Sequence, residues 1–136
     1  MNFETKIAVI VRDDLAVWQK LNVTAFLTTG LVVAKPDLVG EPYEDADGNI
    51  YNPLAIQPII VLTADPDKIA SIYSRAMGRG ARLSIYTEEM FSTGHDEANR
   101  AAVRQFGSSE LKIVGLAVRE DRKVVDKITK GARMHP

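Results

Sequence analysis

Arg12, Asp13 and Asp14 are followed by Lys20, so a guanidinium, two carboxylates and an ammonium fall close together in the chain. Thr87, Glu88 and Glu89 set a hydroxyl beside two acids, and Thr93 follows shortly after. A lysine facing a carboxylate with a hydroxyl nearby can orient water, neutralise a phosphate or stabilise an oxyanion. The groups become a site only if the fold gathers them. On residue types alone the plainer assignment is favoured: Asp14 caps a helix, Lys20 is solvated and Glu88 is a strand-end surface charge.

Other chemistry is poorly supported. Asp45, Asp47 and Asn49 around Gly48 suggest a calcium loop, but the twelfth position from Asp45, where an EF-hand needs Glu, holds Ile56. An acidic hairpin turn is the better reading. Gly78-Arg79-Gly80 lacks a third glycine and follows a helical pattern, so it ends a helix rather than binding a dinucleotide. His95, Asp96 and Glu97 are chain neighbours whose side chains diverge on a helix, and the only other histidine is His135. No metal site is expected. There is no Cys, nor any nucleophile elbow or P-loop, so thiol chemistry, serine hydrolysis of the common α/β type and Walker nucleotidases drop out.

The elements that must position these residues are legible in outline. Lys6 to Arg12 is a β-branched run bounded by charge, the pattern of a strand buried on both faces. Asp13 or Asp14 is placed to cap a following helix. Leu15, Trp18, Leu21 or Asn22, Ala25, Phe26, Thr29 and Val33 recur along it at roughly helical spacing, with a break expected near Gly30. Thr24, Ala25, Thr28 and Gly30 are small enough to let it lie close to a sheet or a second subunit. From Pro36 to Asp67 there are seven acids and no Lys or Arg, and Asp47-Gly48 predicts a hairpin with a primed turn. That segment, about 37–57, reads as an insertion. Pro58 to Leu62 is a second strand, and Asp65-Pro66 opens a helix carrying Ile69, Ile72, Tyr73, Ala76 and Met77 on one face. Strands over 82–87 and 111–118 flank a short helix starting near Thr93 to Asp96, and a last helix opens at Glu120-Asp121 with Lys127, Lys130 and Arg133 at its basic end.

With 136 residues the chain makes one domain, 1–136, and strands alternating with helices imply an α/β fold. Seventeen basic residues against eighteen acidic ones give a net charge of -1, without the positive excess of a dedicated nucleic-acid binder. DNA is not expected as a partner. The apolar run from Ile7 to Val11 is too short for a signal peptide or a membrane span, so a cytoplasmic protein without membrane contact is expected. In open α/β domains ligands bind beyond the carboxyl ends of the parallel strands, here after Arg12, Ala64 and Thr87.

Lys6 to Leu15, with Lys20 and the small-residue helix, resembles the opening of the type II peptidyl-tRNA hydrolases. Leu83 to Glu88, Ile113 to Val118 and Val124 to Gly131 are similar to that family's later strands and closing helix. By order and spacing the resemblance covers about two-thirds of the chain. A closer resemblance is to a bacterial family of unknown function with the same fold, which shares the Asp-Ala-Asp-Gly hairpin (here from Asp45) and a Phe-Ser-Thr-Gly segment (here from Phe91). The resemblance implies a three-layer α/β/α sandwich on a four-stranded mixed sheet, a homodimer, and no cofactor. It places Lys20 on the hydrolases' first functional lysine if one residue is inserted before it, and Gln19 there otherwise. Glu88 falls on their essential acid and Thr93 near their threonine. Arg12, Asp14 and Trp18 are then the candidate substrate-binding residues. Asn22 stands in place of a second lysine, Trp18 and Leu21 in place of glycines, and Thr29 in place of a histidine.

Two functions follow as expectations. In one, an ester or amide such as peptidyl-tRNA is hydrolysed: Lys20 holds phosphate or oxyanion, Glu88 activates water, and Thr93 positions the carbonyl. Arg75, Arg79, Arg82 and the basic end of the last helix would then contact tRNA. In the other, the fold is a non-catalytic module binding a small ligand or a protein, with the acidic hairpin as contact surface.

Overall fold

The computed structural model describes residues 3–136, so Met1 and Asn2, which begin the segment read for a targeting signal, lie outside the described residues. In chain order the elements are β1 (Thr5–Arg12), α1 (Val17–Ala34), β2 (Tyr43–Glu44), β3 (Ile50–Tyr51), β4 (Ile59–Ala64), α2 (Pro66–Gly78), β5 (Leu83–Thr87), α3 (Asp96–Arg104), β6 (Ile113–Asp121), α4 (Arg122–Ile128) and β7 (Arg133–Met134). This is a mixed α/β fold. Strands β5-β6-β1-β4-β7 form one sheet in that order, and β2 and β3 form a separate hairpin. β1 runs parallel to β4 and antiparallel to β6, with Ile10 opposite both Leu62 and Leu116. β5 is antiparallel to β6, and β7 to β4.

The expected four-stranded sheet therefore has a fifth strand. Helix α4 stops at Ile128, Gly131 adopts φ +100, and the chain turns back so that Arg133 pairs with Thr63 and Met134 with Leu62. The left-handed glycine makes the reversal, and two residues of strand leave no periodicity to read. Lys130 and Arg133 are consequently not on the last helix.

Alternation along β1 divides the core in two. Ile7, Val9 and Val11 pack with Val23, Leu27 and Leu31 of α1, whereas Ala8 and Ile10 pack with Ile69, Ile72 and Tyr73 of α2 and Val125 and Ile128 of α4. Gly115 lets α1 approach β6: a Cβ there would lie 2.5 Å from Val23 Cγ1. α1 runs unbroken through Gly30. It starts after Ala16, whose N–H donates to Gln19 Oε1 at 2.9 Å, and neither Asp13 nor Asp14 caps it. Its buried face is Val23, Leu27 and Leu31, while Trp18, Leu21, Phe26 and Val33 remain exposed. Apolar residues lie all round this helix, so spacing alone selects no inner face.

α2 opens as predicted, with Asp65 accepting from Lys68 N at 2.8 Å and Pro66 at its first position. The hairpin lies where expected, but its turn is different. Asp45 N donates to Asn49 O at 3.1 Å and Gly48 N to Asp45 O at 3.0 Å, leaving a three-residue loop in which Gly48 alone has positive φ. A primed two-residue turn would need it at Asp47 too.

Candidate functional site

Arg12 ends β1 and is 14% exposed; Glu88 follows β5 in a 3-10 turn, Glu88–Ser92. Arg12 Nη1 lies 2.8 Å from Glu88 Oε1 and Nε 2.7 Å from Asp14 Oδ1, so three predicted residues meet at the carboxyl ends of the strands. Partial burial works against the guanidinium's charge, but hydrogen bonds and charge from Asp14 and Glu88 outweigh it and raise the Arg12 pKa. Asp13, just after β1, reaches past β4 to Arg133 of β7 at 3.8 Å.

Lys20 and Thr93 are on different sides of α1. Lys20 lines a groove with Val11, Val17, Leu21, Thr24, Ala25, Thr28, Val61 and His135. Thr93 lines a second groove with Trp18, Asn22, Phe91 and His95. The Thr93 hydroxyl donates to Met90 O at 3.0 Å and contacts the Asn99 amide, tying the 3-10 turn to α3. Glu88 belongs to neither groove.

A larger cleft adjoins the Thr93 groove, between α1, β5 and α3, with a volume of about 630 Å³. Phe26 and Leu27 from α1, Leu83, Ile85 and Tyr86 from β5, Met90 from the turn and Val103 from α3 give it apolar walls. The two cavities share Phe26, Tyr86, Met90, Asp96 and Asn99. A chain of ring contacts runs along them: Trp18 to Phe91 at 6.1 Å, Phe91 to Tyr86 at 5.1 Å and Tyr86 to Phe26 at 6.0 Å. Burial raises the Tyr86 pKa, because the phenolate is disfavoured away from water. Arg82, Arg100 and Arg104 line the cleft as its cations. Arg100 pairs with Asp96, whereas the side chains of Arg82 and Arg104 form no ion pair among the described residues. Gly30 has its place here, since a Cβ would stand 2.4 Å from Ser84 Oγ, itself on the cleft wall.

Sequence reasoning placed Arg12, Asp14 and Glu88 at one strand mouth together with Lys20 and Thr93, and expected Lys20 to meet Glu88. Lys20 and Thr93 instead line separate grooves without Glu88, and the side cleft was missed. Only the mid-helix glycine and the weak apolar face of α3 signalled it. Arg75 proved structural: its Nη2 donates to Lys130 O at 2.7 Å, closing off carbonyls just after α4. In the hairpin Asp45 is engaged by the loop itself, accepting from Asp47 N, Asn49 N, Asn49 Nδ2 and Tyr51 OH.

Fold and cavities define a small mixed α/β protein with an aromatic-walled, arginine-bearing cleft beside its sheet. The sequence profile of the DUF2000 family, described as a protein of unknown function, matches residues 5–136, and the chain belongs to that family. It is similar to the solved structure of a protein of unknown function, Atu0240, from Agrobacterium tumefaciens strain C58, with 56% identity and a TM-score of 0.96. That match covers 99% of this chain and 100% of the other. Comparison with curated proteins gave no match. Among the described residues no helix is long and apolar enough to cross a membrane.

Proposed function

We propose that the chain is a small-molecule-binding module whose ligand has an apolar, aromatic-sized body and an anionic group. The observation that carries this reading is the cleft between α1, β5 and α3, where apolar walls meet Arg82 and Arg104, neither engaged in an ion pair. The candidate residues for hydrolysis give less support, since Lys20 and Thr93 line separate grooves. Helices from two cores on opposite faces of the sheet are read as the outer layers of a type II peptidyl-tRNA hydrolase-like sandwich, reused for binding. Calorimetric titration with 2-naphthoate, and with 2-naphthalenemethanol as its uncharged counterpart, tests the reading. The carboxylate is expected to bind at least about tenfold more tightly, the effect of one charge-assisted hydrogen bond. In the Arg82→Ala/Arg104→Ala variant that preference disappears. Equal affinity of both compounds for the unmodified protein contradicts an anion-selective cleft.

A second reading, hydrolysis of peptidyl-tRNA or a similar ester, is favoured by the Arg12–Glu88 pair at the strand mouth and by the family resemblance. There Lys20 would hold phosphate or oxyanion, Glu88 would activate water and Thr93 would orient the carbonyl. Release of tRNA from peptidyl-tRNA, about 10²-fold slower in Lys20→Ala and Glu88→Gln, supports it. A rate no greater than buffer removes it.

A further inference from the structure

Strand β5 is an edge of the sheet, paired with β6 alone. In an antiparallel pair every second residue of an edge strand turns its N–H and C=O away from the partner. Among the described residues, no hydrogen bond joins the backbone of Leu83–Thr87 to any segment but β6. Native folds usually cover or blunt such an edge. Here it opens on a cavity. Ser84 meets Gly30 of α1 and Tyr86 packs in the core on that face, whereas Leu83 and Ile85 pack against the core on the opposite face. All four nonetheless line the cleft beside α3. Side chains from both faces of one strand border one cavity where that cavity looks onto the strand's edge. The cleft therefore runs along the unpaired backbone of β5, with α1 on one side and α3 across from it.

Its two ends differ. Phe26, Tyr86 and Asp96 lie where the cleft joins the Thr93 groove. Ala34, Arg82 and Arg104 continue the same three walls but do not border that groove, so they mark the far end. Arg82 immediately precedes β5, and the side chains of Arg82 and Arg104 form no ion pair among the described residues. A strand laid antiparallel to β5 ends where β5 begins, which brings its carboxyl terminus to these two arginines. A parallel strand would bring its amino terminus there, so charge selects the antiparallel direction.

We propose that the cleft takes a short peptide with a free C-terminal carboxylate, added to the five-stranded sheet as a further strand antiparallel to β5. Backbone hydrogen bonds to β5 hold it, Arg82 and Arg104 bind its carboxylate, and its α1-facing side chains meet the apolar wall at Phe26 and Leu27. At about 3.3 Å per residue, β5 offers an edge long enough for roughly four peptide residues. The proposal rests on the anion-selective cleft and narrows its ligand to a peptide.

Calorimetric titration of the full chain with acetylated tetrapeptides, covering all sequences of Val, Thr, Leu and Phe, tests strand addition. Each is used as the free acid, as the C-terminal amide, and as the acid with one or the other alternate pair of backbone nitrogens methylated. Acids are expected to bind, and the matching amides at least about tenfold more weakly. That preference is expected to vanish in Arg82→Ala/Arg104→Ala, whose folding circular dichroism checks. Methylating one alternate pair is expected to weaken binding at least about tenfold and methylating the other to leave it nearly unchanged, because every second N–H of an added strand faces β5. Equal effects of the two methylations, an amide that binds as well as its acid, or no binding by any peptide at about 1 mM overturn the proposal. Titration of the same sample with 2-naphthoate and 2-naphthalenemethanol separates the failures. If the carboxylate preference persists there, the peptide alone falls; if it is absent, the anion-selective cleft falls as well.

Discussion

Asp45 organises the hairpin by accepting four hydrogen bonds, and its carboxyl is held at about 2, first by the Asn49 amide and then by the Tyr51 hydroxyl. The folded value is below the unfolded one, so its contribution is present above the ordinary carboxylate range, about 4, and is lost as pH falls toward 2. The same bond raises the Tyr51 pKa, so its contribution is present below about 10 and is lost as pH rises through the folded value. Amide resonances of Gly48 and Asn49 are expected to stay fixed from neutral pH down to about 4 and to shift below it. A midpoint at the ordinary Asp value contradicts this network. Asp47-Gly48 made the hairpin legible, but the four bonds to Asp45 depend on a three-residue loop that the dipeptide does not specify. Arg119 is similar. It is 7% exposed and bonds Asp37 Oδ1 at 2.9 Å and Gln57 Oε1 at 3.2 Å, fixing the base of the hairpin segment to β6. Nothing near Arg119 in the chain announces partners 82 and 62 positions away.

At the scale of elements, local signals succeeded where one residue determines the geometry and failed where packing does. Asp65-Pro66 fixed the start of α2, and the β-branched run fixed β1, because a cap and a buried strand are written in adjacent residues. The register of α1 was not written that way. Its apolar residues surround the axis, and the face that turns inward is set by the room over Gly115. Gly115→Ala drives a methyl into Val23 and Leu27 and toward the Ile10 carbonyl, 3.3 Å from the new carbon. Overpacking of this kind costs about 1–3 kcal/mol, and urea denaturation is expected to show that loss with an unchanged m-value. A variant as stable as the unmodified chain means α1 is not pressed against β6. The fifth strand escaped notice for the opposite reason, since a glycine turn and two residues suffice to make it.

At the scale of the whole molecule, the sheet presents two kinds of surface. Its strand mouth closes on itself through Arg12, Asp14 and Glu88, while the flanks of α1 stay open, one toward the arginine-bearing cleft and the other toward the Lys20 groove. The carboxyl-end rule led to the mouth, but the pairing of Arg12 with Asp14 and Glu88 there was not predicted, since Asp14 was expected to cap α1 and Glu88 to face Lys20. The side cleft was illegible because its walls come from α1 and from β5 and α3, far from α1 in the chain, and the close approach of α1 to β5 rests on Gly30 meeting Ser84. Ligand binding at that cleft decides between a binding module and a hydrolase. The most direct measurement is a ¹⁵N amide-shift titration with 2-naphthoate. Saturable shifts confined to Gly30, Ser84, Tyr86, Asn99 and Val103 are predicted, with Leu21 and Thr24 on the other flank unmoved. Shifts that cluster around Leu21 and Thr24, or none at all, contradict it.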